Sequence, residues 1–357
     1  MCKFATVTNN LTRLHIIYMI YVALNNTKPK RRLTFYLAME EYIARHLEKG
    51  EYFFMWQVDP TVIFGRNQLI QNEVNIDYCR QHNIQTYRRK SGGGCVYADM
   101  TNIMFSYITP DENVSLTFSK YINMVSEMLR KLGIPAETSG RNDIMIEGRK
   151  VSGNAFYHIP GRSIVHGTML YDTNIENMVG AITPSCEKLV SKGIQSVRQH
   201  ITLLKDHISL DIEEFKDFTR RNLCNSEIVL DDDAIAQIVH IEEEYLTPEF
   251  IYGNNPSYNI TRSGRIEGVG DFVINMEMKN DVIKDIDIKG DFFLVGDIGQ
   301  QIIAKLQGTD YTADAISAAL PQQLDNVILN LKKDDFVSLL MKKTPTDVRK
   351  NNKPYKY

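Results

Sequence analysis

The stretch Arg88-Arg89-Lys90-Ser91-Gly92-Gly93-Gly94-Cys95-Val96-Tyr97 sets three cations and three consecutive glycines ahead of an apolar, strand-like run. Glycine reaches positive φ and lets a ligand approach the main chain closely. Successive N–H groups turned one way around a tight bend form an anion-binding concavity. Neighbouring guanidinium groups add bidentate phosphate donors. The stretch reads as a phosphate cradle on a strand–loop–strand turn. A basic hairpin with a flexible turn is the plainer alternative, but three glycines in a row carry a backbone-entropy cost that an ordinary turn avoids. The pattern is neither GxxxxGK[ST] nor GxGxxG, which disfavours a P-loop ATPase and a Rossmann enzyme.

Composition narrows the class further. A chain of 357 residues can bury a large core and is expected to divide into two domains. Hydrophobic content of 43% and charged content of 24% suit a soluble protein. A formal net charge of -3 offers no general attraction to nucleic acid or an anionic membrane, so any phosphate site must be local. The five cysteines, Cys2, Cys79, Cys95, Cys186 and Cys224, are scattered without a CxxC. That pattern suggests neither a disulfide framework nor a cysteine zinc site, and fits a reducing cytoplasm. The apolar run Leu14 to Leu24 has the length of a signal-peptide core but lacks a small-x-small site after it. It is too short to span a bilayer, which needs about 20 residues. It is expected to be a buried extra element or an extension outside the functional domain.

From the glycine turn outward, hydrophobic spacing predicts a helix over residues 33–47, with Glu40, Glu41 and Arg45 mainly towards water. Strands follow at 53–58 and 61–64, with Arg66 leaving the second as a phosphate donor or a plain surface arginine. A short helix at 75–82 leads into a strand at 84–88, and another strand covers 102–108. The clearest helix covers 115–132, its apolar stripe read as core. In Gly140-Arg141-Asn142-Asp143-Ile144-Met145-Ile146-Glu147-Gly148-Arg149-Lys150-Val151-Ser152-Gly153-Asn154-Ala155, two short strands flank the Glu147-Gly148 turn. Lys150 emerges beside it, placed either to neutralise charge in phosphoryl or acyl-phosphate transfer or simply to face solvent.

His166 lies in a strand over 163–170, as a donor to a bound carboxylate or phosphate or as a core histidine. Residues 183–204 read as a basic loop able to cover an anionic ligand, or as a solvated connector. Helices are expected over 209–224 and 231–244. A small α+β unit is expected over about 262–342, with strands at 272–278 and 283–288 and helices at 298–306, 312–320 and 333–341. The polar, basic tail after it is expected to be poorly ordered.

Taken in order, these segments closely resemble the lipoate–protein ligase A family, part of the biotin/lipoate ligase superfamily. Arg88 to Gly94 matches RRxSGGG, Gly140 to Asp143 matches GRND, and Arg149 to Ala155 matches RKxSGxA. His166-Gly167-Thr168 matches HGT, and Lys192 to Arg198 matches KGxxSVR. Phe35 to Glu41 resembles the family's first helix. The likeness runs from about residue 33 to 341. Departures are Ala98 to Asn102 in place of the family's His-Asp and Gly-Asn pairs, Tyr36 at a common Asn position, and His200 at a common Arg position.

The resemblance implies an α+β fold, with a mixed, largely antiparallel catalytic sheet and a small α+β C-terminal accessory domain. The expected division is 1–32 as an N-terminal extension, 33–261 as the catalytic domain, 262–342 as the accessory domain, and 343–357 as a flexible tail. It further implies an enzyme that activates lipoate with ATP to lipoyl-AMP, releasing pyrophosphate. Lipoyl then passes to a lysine of apo lipoyl domains of 2-oxoacid dehydrogenase E2 subunits or of glycine-cleavage H protein. By carry-over, Arg88, Arg89, Ser91, Gly92, Gly93, Gly94, Cys95, Val96 and Tyr97 surround the nucleotide. Asn102, Asn142, Asp143, Lys150, His166 and Arg198 complete that set. Lys150 is the catalytic residue, and Lys150 with His166 would bind lipoate. Asp143 either holds the Mg2+ that arrives with ATP or orients Lys150. No tightly bound prosthetic group, nucleic acid or membrane is expected. The alternatives are an amidotransferase of the same superfamily using Cys95 as nucleophile without ATP, and a noncatalytic protein that binds lipoylated domains.

Overall fold

The computed structural model describes residues 19–25, 31–68, 70–111, 113–139, 142–182, 199–252, 260–279 and 281–342. Its centre is an eight-stranded sheet. The strands are β1 (Met19–Leu24), β2 (Glu51–Trp56), β6 (Ile103–Thr109), β7 (Ala136–Thr138), β8 (Asp143–Ile146), β9 (Arg149–Ile159), β10 (Arg162–Met169) and β11 (Ser226–Leu230). They lie in the order β11-β1-β2-β6-β10-β9-β8-β7. Strand β1 pairs parallel with both neighbours, whereas the other pairings are antiparallel. The sheet is thus mixed and largely antiparallel, as the family resemblance implies.

Alternation along the strands fills two cores, because successive side chains leave a strand on opposite faces. Phe53, Phe105 and Val165 meet helices α2 (Val114–Arg130) and α3 (Ile212–Leu223). Phe54, Met104 and Ile164 meet α1 (Leu33–His46) and α4 (Asp232–Tyr245). Each fully buried phenylalanine contributes about 1.5–3 kcal/mol of transfer free energy. Caps set the helix starts: Asn113 Oδ1 accepts from the Leu116 N–H at 3.1 Å, and Asp211 with Glu214 forms a capping box ahead of α3.

A separate three-stranded sheet carries the glycine turn. In it β3 (Thr61–Phe64) pairs parallel with β4 (Gln85–Arg88) and antiparallel with β5 (Val96–Ala98). The turn spans β4 to β5, as the strand–loop–strand reading expects. A third sheet, β12 (Ile260–Ile266), β13 (Gly270–Lys279) and β14 (Val282–Gly290), packs with helices Ala313–Ala319 and Lys333–Met341 around a core of its own. The helix expected at 298–306 opens with a π-helical turn, Gly299–Ile303.

Several expectations are corrected. Glu40 and Glu41 are 0% and 2% exposed, not turned to water, because their carboxylates are engaged by partners far along the chain: Ser106 and His166 for Glu40, Lys90 and Tyr245 for Glu41. The residues from 19 onward in the apolar N-terminal run form β1 inside the catalytic sheet; residues 14–18 lie outside the described residues. Strands β11 and β12 are not evident from hydrophobic patterning. Most of the basic 183–204 loop, residues 183–198, and the tail from 343 lie outside the described residues. Among those described, no helix is long and apolar enough to cross a membrane.

Candidate active site

A cavity of about 230 Å³ opens between the glycine turn, the β8–β9 hairpin, β10 and the end of the C-terminal sheet. Its apolar wall is Leu37, Trp56, Ile63, Val96, Met104 and Ala155, and its polar wall is Arg89, Asn142, Asp143, Lys150, Asn154 and His166.

The cations of the glycine turn are spent on the protein itself. Arg89 donates from Nε to Ser91 Oγ at 2.9 Å, from Nη1 to the Ile63 carbonyl at 3.1 Å, and from Nη2 to the Gly92 and Gly94 carbonyls at 2.6 and 2.8 Å. Arg88 Nη1 donates to the carbonyls of Gly65, Arg66 and Gln68 at 3.2, 2.7 and 2.8 Å, and its guanidinium sits 4.6 Å over the Phe64 ring. Lys90 Nζ bridges Glu41 and Glu244 at 2.8 and 2.6 Å. Burial lowers both arginine pKa values to about 10, which leaves them charged at neutral pH. These cations form a frame that fixes the shape of the turn.

The three glycines have different reasons. Gly93 has φ +85, and a Cβ on Gly92 would fall 2.3 Å from the Phe292 carbonyl oxygen. Around Gly94 the nearest atom to such a Cβ, Asp291 Cβ, is 4.0 Å away. The protein needs the first two, whereas the room above Gly94 belongs to the cavity. The Gly93 N–H donates to the Phe292 carbonyl at 3.2 Å, so the C-terminal domain touches the turn directly. Phe293 follows that carbonyl into the catalytic core, stacking on Phe156 with centroids 5.4 Å apart and lining the cavity.

Opposite lies Lys150. The two-residue turn Glu147-Gly148, both at positive φ (51 and 74), joins β8 to β9 as in a type I′ hairpin. A register shift between Ile144 and Met145 accompanies it, and Lys150 pairs with Met145. Lys150 Nζ lies 2.9 Å from Asp143 Oδ1, with both side chains partly exposed. A Cβ on Gly153 would come within 2.6 Å of Lys150 Cε and Nζ, so this glycine clears the path of the lysine. Asn142 and Asn154 clasp the hairpin base, each side-chain amide donating to the other's carbonyl at 2.9 and 3.0 Å.

Of the residues expected around the nucleotide, Arg89, Gly93, Gly94, Cys95, Val96, Asn142, Asp143, Lys150 and His166 line this cavity. Arg88, Ser91 and Gly92 sit behind it as frame. Tyr97 and Asn102 point elsewhere: Asn177 Nδ2 donates to the Tyr97 hydroxyl at 3.4 Å, and Asn102 Nδ2 donates to Thr173 Oγ1 at 2.9 Å. Arg198 lies outside the described residues. Arg66, weighed as a phosphate donor, has an exposed side chain, and its N–H holds the turn through the Ser91 carbonyl at 2.9 Å.

Sequence reading missed Glu40, Glu41 and the C-terminal contributors Asp291 and Phe293. The adjacent acidic pair inside an otherwise apolar helix was the available signal for the first two. Glu41 accepts from Lys90 and the Tyr245 hydroxyl, and Glu40 faces His166. Burial pushes the Cys95 thiol well above its ordinary range, with Glu73 adding to the effect and Arg89 only partly opposing it. Among the described residues no group of three or more His, Cys, Asp or Glu is arranged to hold a metal ion.

The family model for the lipoyl protein ligase A/B catalytic domain matches residues 33–223, and that for the bacterial lipoate protein ligase C-terminus matches 255–340. A lipoate-protein ligase of Bacillus subtilis is 36% identical over 319 residues, covering 85% of this chain and 95% of its own. Three solved structures share the fold at lower identity. The lipoate complex of LipL1 from P. falciparum has a TM-score of 0.66 at 19% identity, covering 90% of this chain and 97% of that one. A bipartite lipoate protein ligase of Thermoplasma acidophilum, studied with its E2 lipoyl domain, has a TM-score of 0.61 at 23%, covering 68% and 100%. A lipoate-protein ligase A bound with ATP has a TM-score of 0.58 at 22%, covering 66% and 99%. With both the catalytic and the C-terminal model matched in order, the chain belongs to the lipoate–protein ligase family.

Proposed function

We propose that this enzyme is an ATP-dependent lipoate–protein ligase that works through lipoyl-AMP. The observation that carries the reading is Lys150, 2.9 Å from Asp143, facing a cavity with an apolar wall and a glycine turn. The acyl chain would lie along Leu37, Trp56 and Met104, and the α-phosphate would lie over Gly94. Carboxylate and triphosphate repel one another, so bringing them together needs a fixed positive charge between them. Lys150 would supply it. A lipoate carboxylate oxygen attacks the α-phosphorus, the acyl–O–P bond forms, and the bond to pyrophosphate breaks. In the second half-reaction a neutral lysine amine of the acceptor attacks the acyl carbon. The amide forms, the amine proton passes to solvent, and AMP leaves with its charge balanced by Lys150.

Magnesium would enter with the nucleotide. Asp143 fits as one oxygen ligand beside phosphates and water, since this hard ion is commonly held by one or two carboxylates plus substrate. The short ion pair to Lys150 equally supports the orienting role for Asp143. The acceptors are apo lipoyl domains of E2 subunits or glycine-cleavage H protein, and the cytoplasm is the site of action. A Cys95-dependent amidotransferase is disfavoured because burial holds that thiol protonated and poorly nucleophilic.

The test is the mass of an apo lipoyl domain incubated with enzyme and free lipoate, with and without Mg-ATP. A lipoyl mass gain only with ATP, alongside AMP and pyrophosphate, is expected, and Cys95→Ala retains it. Transfer from an acylated protein without ATP would move the assignment to the amidotransferase.

A further inference from the structure

Two chains of hydrogen bonds converge on Glu40. Trp56 Nε1 donates to Ser106 Oγ at 2.9 Å, and Ser106 Oγ donates to Glu40 Oε1 at 2.6 Å. From the other side Arg89 Nε donates to Ser91 Oγ at 2.9 Å, and Ser91 Oγ lies 2.7 Å from His166 Nε2. His166 Nδ1 in turn lies 3.0 and 2.9 Å from the two Glu40 oxygens. None of the six residues is more than 5% exposed.

An indole N–H and a guanidinium can only donate, and an ionised carboxylate can only accept. With both ends and the meeting point fixed, each intervening hydrogen has one place to go. The Ser91 oxygen accepts from Arg89, and among the described contacts the acceptor for its own hydrogen is His166 Nε2. The ring proton is therefore on Nδ1 and is given to Glu40. A second ring proton on Nε2 would compete with the Ser91 hydrogen for the same 2.7 Å contact. It would also leave the Ser91 hydrogen without an acceptor among the described contacts. The other groups near the ring are Tyr157, with centroids 6.1 Å apart, and Lys150, which lines the same cavity.

We infer that Glu40 is a positioning residue that holds His166 as the neutral Nδ1–H tautomer, with both ring nitrogens engaged inside the protein. His166 is then no donor to a bound carboxylate or phosphate. It orders Ser91, and through Ser91 the Arg89 fork that shapes the glycine turn. Buried partners of this kind commonly set the orientation of a functional group. The tautomer stands on geometry alone, whereas its consequence for catalysis rests on the ligase reading.

Two-bond proton–nitrogen correlation spectra of the full chain labelled with 15N-histidine test the assignment, with His166 identified by its loss in His166→Asn. A protonated Nδ1 with a bare Nε2 at neutral pH is expected. An Nε2–H tautomer or a doubly protonated ring overturns the inference. Ser106→Ala cuts only the Trp56 arm and should keep the tautomer, and its loss there also counts against the inference. Glu40→Gln should lose the preference and lower kcat/KM by about tenfold or more, chiefly through KM for ATP. Parent tautomer and parent kcat/KM in a folded Glu40→Gln protein would contradict the positioning role. Absence of ATP-dependent lipoylation by the unaltered enzyme would sink the ligase reading and leave the tautomer result standing.

Discussion

On the glycine-turn side of the cavity, Arg88, Arg89 and Lys90 are buried or braced, and their hydrogen bonds run to carbonyls, a serine and two carboxylates of the protein. On the hairpin side, Lys150 is partly exposed, paired with a partly exposed Asp143, and kept clear by Gly153. Both sides carry positive charge close to the same space. One uses it to hold a backbone shape, and the other leaves it available to a ligand. Cationic residues around an anion site are thus not interchangeable evidence of binding. The direction of their donors decides which are frame and which can take part in chemistry.

Substitutions can break this contrast. Arg89→Ala should have the largest effect on stability, because it strands three carbonyls and a hydroxyl in a buried site. A loss of about 3 kcal/mol or more is expected from denaturant unfolding. A loss below 1 kcal/mol would mean that Arg89 is not frame.

Gly92→Ala and Gly94→Ala separate the two uses of glycine. Gly92→Ala should push Phe292 away and loosen the contact between the turn and the C-terminal domain, costing about 1–3 kcal/mol as overpacking does. Limited proteolysis and thermal unfolding report it. Gly94→Ala should unfold like the parent but bind ATP about tenfold more weakly, the cost of about 1.4 kcal/mol of lost approach. If calorimetry gave the same affinity, the ligand-facing role of Gly94 would fail.

The smallest effect belongs to Glu73. Burial, then Asp291 and Asp271 across the domain contact, raise its pKa from 4.5 to about 6. A raised carboxyl pKa means that the folded state binds the proton more tightly than the unfolded chain. Its stabilising effect is full below pH 4.5 and is lost as pH rises through 6. Lowering the pH from 7 to 5 by buffer exchange should therefore raise Tm slightly, and Glu73→Gln should flatten that rise. An identical pH profile in the variant would exclude this contribution.

Much of the site is legible because its parts are local. The RRxSGGG turn, the GRND segment and the RKxSG hairpin each lie within a few residues, and their spacing leads directly to Lys150. The core helices show their periodicity for the same reason. What is not legible depends on distant partners. Glu40 and Glu41 read as solvent-facing because their partners, Ser106, His166 and Tyr245, lie 66, 126 and 204 residues away. Strand β11 is half polar along Ser226-Glu227-Ile228-Val229-Leu230, and only parallel pairing with β1 makes it a strand. Phe293 reads as the end of a C-terminal hairpin, yet it completes an aromatic cluster with Phe118 and Phe156. Long-range pairing leaves little periodic trace in the segments that it joins.

The most direct measurement is a quenched single turnover of Lys150→Ala with lipoate and ATP in the absence of acceptor, with ATP binding and thermal stability measured on the same protein. A parent-like fold, retained ATP binding through the intact glycine turn, and lipoyl-AMP formation slowed by about a thousandfold or more are expected. Lipoyl-AMP formed at the parent rate would contradict the role of Lys150.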